Sequence, residues 1–110
     1  LRTVDKLLTG AVSMDIYEVK AACEALGGVA VPAHVEKDSY ALLSVLGFLP
    51  EDLPFAAVEL HDASRLDGLV EKGLLPAGLE VLSSSDAHRM EDVACSLHAL
   101  AADSVLRRLL

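Results

Sequence analysis

The 110 residues predict a single domain with an α/β fold and a mostly parallel sheet. Apolar stripes at helical spacing alternate along the chain with short apolar runs, and glycines stand between them. This alternation is typical of repeated strand and helix units, in which each new strand returns parallel to the previous one. With 53% hydrophobic and 24% charged residues, the composition also indicates a chain with a packed core.

The first predicted unit is a helix followed by a strand. Ser13 is the predicted N-cap of a helix over residues 14–26, in which apolar residues recur at intervals of three and four. The glycine pair at 27–28 ends this helix, because glycine readily adopts the left-handed conformation found at helix ends. Residues 29–31 (VAV) form the predicted strand.

The middle of the chain predicts a helix, a strand and a further helix. A short helix is predicted over residues 39–47, with its first serine as the cap and its last glycine as the stop. Residues 55–60 (FAAVEL) are the next strand. Asp62 or Ser64 caps the helix that follows, whose apolar residues lie on one face until Gly73.

The last clear strand is predicted over residues 79–82, directly before the sequence SSSDAH. The tail admits two interpretations: one helix over 93–110, or a strand over 95–100 followed by a helix capped at Asp103. We favour the second, because its polar residues alternate as in a strand and a capping residue stands in the middle. Functional sites of parallel sheets lie at the carboxyl ends of the strands, so we expect the site there.

Charge and cysteine content restrict the functional classes. The net charge of −8, from 9 basic and 17 acidic residues, argues against binding to a nucleic-acid backbone. Cys23 and Cys95 lack the spacing of a metal-binding pair, and we expect buried thiols in a reducing compartment. Since no apolar run is long enough to cross a membrane, we expect no membrane association and a cytoplasmic location.

Polar side chains follow two of the predicted strands in a pattern that suits metal binding. Asp86 and His88 come after residues 79–82, and on an extended backbone they project to the same side with Cα atoms about 7 Å apart. His34 follows residues 29–31. Zinc, manganese and iron bind imidazole and carboxylate, and hydrolytic sites use such metals to acidify water. His34, Asp86 and His88 are therefore the candidate metal ligands.

Other polar residues near the strand ends are candidates for orienting a ligand or contacting a substrate. Glu59 and His61 flank the end of the strand over 55–60, where a solvent-facing role is equally reasonable. Ser85 has a hydroxyl that suits a phosphate oxygen or a chain turn. Lys37 and Arg89 carry charges that suit a substrate phosphate, although solvated rim charges are the more common explanation.

Two stretches resemble the PHP family, named for its polymerase and histidinol-phosphatase members. GGVAVPAHVEK contains His34, and VLSSSDAHRMEDV contains Asp86 and His88. The Ala-His and the later Ser-Asp-Ala-His occur in the family's order, and the resemblance covers roughly residues 13–93. It implies the C-terminal portion of a distorted (β/α)7 TIM-like barrel and a metal-dependent phosphoesterase that acts on a small phosphorylated metabolite or nucleotide.

The resemblance also implies a cluster of two or three manganese, zinc or iron ions, with His34, Asp86 and His88 among the ligands. The family's opening His-x-His motif and its middle Glu and His ligands have no counterpart before His34. We therefore expect a C-terminal fragment of a PHP domain that is inactive alone and self-associates through uncovered edges. The alternatives are a degenerate, noncatalytic PHP-like binding module and another metal-dependent hydrolase, such as an amidohydrolase.

Overall fold

The structure is a computed structural model that describes residues 3, 5, 10–93 and 101–109. Its first helix, α1, covers Ile16–Ala25 and begins at a reciprocal cap. The Asp15 carboxylate accepts from the Glu18 N–H at 2.9 Å, and the Glu18 carboxylate accepts from the Asp15 N–H at 2.9 Å. The prediction of Ser13 as the N-cap of this helix is wrong. The N-cap is Asp15, two residues later, and its pairing with Glu18 satisfies free N–H groups at the start of the helix.

Helix α2 covers only Leu42–Leu46 and does not begin at the predicted cap, Ser39. Tyr40 has a φ of +55°, which is incompatible with a right-handed helix at that point. The Ser44 hydroxyl closes the first turn, because it donates to the Ala41 carbonyl at 2.8 Å. Gly47 ends the helix as predicted, with a φ of +82° that glycine adopts without a steric penalty.

Two parallel strands form the sheet. Strand β1 covers Ala57–Leu60, strand β2 covers Glu80–Ser83, and they pair along their whole length. Helix α3, Leu66–Glu71, lies between them in the chain, so the three elements form one βαβ unit. The predicted α/β class with parallel strands is confirmed, and both strands lie within two residues of their predicted bounds.

The segment before β1 does not form the strand predicted over residues 29–31, which have no regular secondary structure. The chain nevertheless contacts β1 beyond that point. The Glu59 N–H donates to the Pro32 carbonyl at 2.9 Å, and the Val35 N–H donates to the Glu59 carbonyl at 3.0 Å. A regular ladder does not form, since Pro32 lacks an N–H and His34, with a φ of +35°, interrupts the extended backbone.

Asp62, one of the two predicted caps, is the N-cap of the helical segment that leads into α3. Its carboxylate accepts from the Ser64 N–H at 3.0 Å and from the Ser64 hydroxyl at 2.6 Å. A 3-10 turn over Ala63–Arg65 then runs directly into α3. Hydrogen bonding by the Ser64 hydroxyl, followed by its N–H, lowers the pKa of Asp62 below its ordinary value.

Ser64→Ala is expected to raise the pKa of Asp62 toward its ordinary value, because the hydroxyl donor is lost and the N–H remains. The folded-state pKa lies below the unfolded value, so the cap stabilises the fold above about pH 4. That contribution is lost as the pH falls through the folded-state pKa. Carbon-detected NMR of the Asp62 carboxyl measures the shift, with Ser13→Ala as the control. An unchanged pKa in Ser64→Ala would contradict the assigned cause.

The described C-terminal residues form a 3-10 turn, Val105–Leu109, rather than an α-helix. The Glu80 carboxylate accepts from the Val105 N–H at 2.9 Å, and the Ser104 hydroxyl accepts from the Leu106 N–H at 3.2 Å. These side chains satisfy the first N–H groups, so the prediction of Asp103 as the cap is wrong. The strand predicted over 95–100 lies outside the described residues.

The hydrophobic core surrounds β1. Ala57, Val58 and Leu60 are fully buried, and only Glu59 of this strand is partly exposed. Burial on both faces is typical of a parallel strand. The side chains that pack around it come from the preceding loops, from α3 and from the loop after it: Val35, Leu49, Leu53, Phe55, Leu69 and Leu75.

Two further expectations concern the thiols and the membrane. Cys23 is a free thiol but is half-buried, so the prediction that it is buried is wrong. It lies on α1 beside an open apolar cleft instead of in the core. Cys95 lies outside the described residues.

Of the helices in the described part of the chain, none combines the length and the apolar character needed to span a membrane.

Candidate metal-binding cleft

A turn over residues 34–37 carries two of the predicted site residues at its ends. The Lys37 N–H donates to the His34 carbonyl at 3.0 Å and closes the turn. Its central residues, Val35 and Glu36, are only 0% and 6% exposed. Loops usually run over the surface, so a turn with a buried middle is unusual. The two ends of the turn, His34 and Lys37, line a cleft.

Glu36 accepts hydrogen bonds that connect this turn to residues after β1. Its Oε1 accepts from the Asp62 N–H at 2.8 Å, and its carbonyl accepts from the Arg65 guanidinium at 3.2 Å. Its Oε2 is buried and has no hydrogen-bond partner among the described residues. The sequence interpretation missed Glu36, and the one available signal was its position between two candidate residues.

A single polar cleft of 270 Å³ gathers all three predicted ligands. The Lys37 Nζ donates to Asp86 Oδ2 at 2.5 Å and bridges the two motifs. His88 Nδ1 lies 2.7 Å from the Asp86 carbonyl oxygen and 4.0 Å from Asp86 Oδ1. His34 Nδ1 is buried without a partner in the described chain. The lining residues are His34, Lys37, Ser39, Tyr40, Asp86 and His88.

The charges in this cleft keep Asp86 ionised. The hydrogen bond from Lys37 is the largest cause that lowers the pKa of Asp86, and desolvation opposes it without outweighing it. The positive charge of Lys37 and the nearby imidazoles of His34 and His88 act in the same direction as the hydrogen bond. Asp86 is therefore an acceptor at neutral pH, which is the state in which a carboxylate binds a cation.

Three residues of the cleft have a left-handed backbone. They are His34, Tyr40 and Asp86, with φ values of +35°, +55° and +49°, and no other non-glycine residue in the described ranges has a positive φ. This conformation costs most L-residues about 1–2 kcal/mol; Asp and His adopt it several-fold more often than other residues, so the strain is clearest at Tyr40. Such strain concentrates at functional sites, where surrounding contacts hold it in place. Its confinement to one cleft marks this cleft as the candidate site.

Four other candidates lie outside the lining of the cleft. Glu59 is half-buried and accepts from the Ser84 hydroxyl at 2.6 Å, so it connects β1 to the loop that carries Asp86. The others make no comparable contact among the described residues, and two of them are fully on the surface. The predicted roles of all four stay predictions: Glu59, His61, Ser85 and Arg89.

The donor atoms in the cleft suit a divalent metal. In the neutral tautomer that donates from His88 Nδ1 to the Asp86 carbonyl, Nε2 carries no proton, and metal-binding histidines usually show this arrangement. The unpartnered His34 Nδ1 and the ionised Asp86 are also donors of the right type.

These donors do not yet converge on one point. Within residues 10–93 and 101–109, no three His, Cys, Asp or Glu side chains form a group that could hold a metal ion. The ammonium of Lys37 is bound to one of the two Asp86 oxygens. Metal binding by His34, Asp86 and His88 therefore stays a prediction, and it requires these side chains to move closer together.

Fold and cleft together define a class: a small α/β domain with two parallel strands and a polar cleft, which is built from a loop before the first strand and the loop after the second. In comparisons with known proteins, no family model, no curated protein and no solved structure matches the chain. The resemblance to the PHP family thus rests on the two sequence motifs and on the cleft in which they meet.

Proposed function

We propose that this chain is the C-terminal part of a cytoplasmic PHP-type phosphoesterase, which uses divalent metals to hydrolyse phosphate esters of a small metabolite or nucleotide. The main support is that the cleft is lined by both family-like motifs, although 49 residues separate Lys37 from Asp86. The parallel βαβ unit supports it further, because this unit is the repeat from which a (β/α)7 TIM-like barrel is built.

In this proposal His34, Asp86 and His88 bind manganese, zinc or iron. When bound, such a metal acidifies water and neutralises charge that develops on the phosphoryl oxygens. Lys37, released from Asp86, donates to a phosphate oxygen of the substrate. Glu59 holds the Asp86 loop in place through Ser84.

The activity is proposed for a protein that supplies further metal ligands. The family's cluster of two or three ions needs more donors than the three in this cleft, and no histidine precedes His34 in the sequence. Residues 1–110 alone are therefore expected to be inactive. The exposed apolar side chains of Leu26 and Met90 support the further proposal that this piece self-associates.

Replacing both Asp86 and His88 with alanine tests the function. In a protein that includes the further ligands, we expect loss of bound metal and a fall of more than about 100-fold in phosphatase rate, since losing groups that only orient ligands already costs about 10- to 100-fold. Metal content by mass spectrometry and hydrolysis of p-nitrophenyl phosphate measure the two effects. Glu91→Ala, an exposed carboxylate nearby, is the control. Unchanged metal content and rate in the double variant would refute the proposal.

The Lys37–Asp86 ion pair favours a second candidate, a noncatalytic module that binds a phosphorylated ligand. Lys37 gives the cleft a cationic group for a phosphate without a metal, and the buried Nδ1 of His34 has no hydrogen-bond partner among the described residues. Calorimetry with inorganic phosphate distinguishes the two functions. Manganese should raise the affinity for phosphate if the site is that of the phosphoesterase, and it should leave the affinity unchanged if the chain is the noncatalytic module.

A further inference from the structure

Tyr40 lies between two clefts of different character. It lines the polar cleft with the predicted ligands, and it also lines an apolar cleft of 510 Å³. The apolar cleft lies between the start of α1 and α2, and its walls are almost entirely hydrocarbon. Its lining residues are Asp15, Ile16, Tyr40, Ala41, Leu42, Val45 and Leu46. The two clefts are therefore adjacent and share the tyrosine as a common wall.

Packing does not explain the conformation of Tyr40. The side chain is 95% exposed, so it gains little from burial, and its φ of +55° is unfavourable for a bulky residue. Backbone strain of this kind persists where the surrounding structure fixes it, and it often accompanies ligand contacts. The exposed ring of Tyr40 at the rim of the polar cleft offers a face for an apolar group of a ligand.

We propose that Tyr40 determines substrate specificity, and that the substrates are phosphate monoesters whose alcohol part is apolar. The phosphate lies in the polar cleft beside Lys37, and the alcohol part passes the Tyr40 ring into the apolar cleft. The inference rests on the proposed function for the phosphate end and extends it by naming the other end of the substrate. The volume of the apolar cleft falls within the range of small-molecule sites, which is about 300–1,000 Å³.

Two phosphonate probes test the inference by binding alone. Methylphosphonate and phenylphosphonate carry similar charged groups and differ in the apolar part. With the full chain, with and without manganese, we expect calorimetry to show about tenfold tighter binding of phenylphosphonate, because burial of the ring on Tyr40 favours it.

Two substitutions at Tyr40 separate its role from folding. Tyr40→Gly should abolish the preference and still bind methylphosphonate, and it should fold, because glycine adopts a positive φ without strain. Tyr40→Phe should keep the preference. Phe48→Ala removes another exposed aromatic residue, which lines neither cleft, and should change nothing.

The outcomes separate failure of this inference from failure of the proposed function. Equal affinities for the two probes, or a preference that survives in Tyr40→Gly, would overturn the role of Tyr40 and leave the phosphoesterase proposal standing. Loss of the preference in Phe48→Ala would also overturn it, because the apolar contact would then lie elsewhere. If neither probe binds with or without manganese, both proposals fail.

Discussion

Glu36→Ala is expected to move His34 and Lys37 away from Asp86 and to lower the free energy of unfolding by about 1–3 kcal/mol. Glu36 is 6% exposed, and its Oε1 is the acceptor for the Asp62 N–H. Without Glu36 Oε1, the Asp62 N–H loses its acceptor. The turn at 34–37 then loses one of the contacts that hold His34 and Lys37 at the cleft. Urea unfolding measures the loss of stability.

A conservative variant separates the position of the turn from the stability of the fold. Glu36→Gln keeps an oxygen for the Asp62 N–H, so it should retain stability and the NMR signals of the His34 imidazole. Leu53→Ala weakens the core at a residue that is 2% exposed and should leave those signals in place. If Leu53→Ala shifts the His34 signals as much as Glu36→Ala does, Glu36 has no specific role in positioning the cleft.

Leu60→Ala is expected to lower the free energy of unfolding by about 2–5 kcal/mol, because it leaves a cavity at a fully buried position of β1. A domain of ordinary stability, about 5–15 kcal/mol, would lose a large part of its stability in this way. Leu60 shares the core with Val35, the buried centre of the turn at 34–37, so the cleft should be disturbed together with the fold.

Chemical denaturation compares Leu60→Ala with the same substitution at an exposed leucine. Leu26 is 90% exposed, and Leu26→Ala should change the stability by less than about 0.5 kcal/mol. Similar losses in the two variants would contradict the central place of β1 in the core.

The βαβ unit could be predicted because its signals are local. A parallel strand that is buried on both faces appears in sequence as a short apolar run, and FAAVEL has this form. Asp62 and Gly73 mark the limits of the helical region by chemistry that acts over two or three residues. The sequence also predicted that His34 and Asp86 lie close together, but the reason, a position after a strand, holds only for Asp86. Asp86 follows β2, whereas His34 follows no strand, because residues 29–31 have no regular secondary structure.

The turn at 34–37 could not be predicted, since it depends on contacts with residues far along the chain. VAV before Pro32 has the composition of a strand, but the hydrogen bonds that place this segment come from Glu59, more than 20 residues later. The burial of Glu36 depends on Asp62, and the pairing of Lys37 depends on Asp86. No periodicity within the segment carries information about these partners.

The left-handed backbone at His34 and Asp86 determines how this site would be lost by mutation. Glycine and asparagine adopt that conformation more readily than most residues, so at positions 34 and 86 they keep the backbone conformation while they remove a predicted metal ligand. If the proposed chemistry is no longer under selection, drift toward these two residues at positions 34 and 86 costs the fold little. A descendant that keeps the fold without the proposed activity should carry glycine or asparagine there, and β-branched residues should be rare.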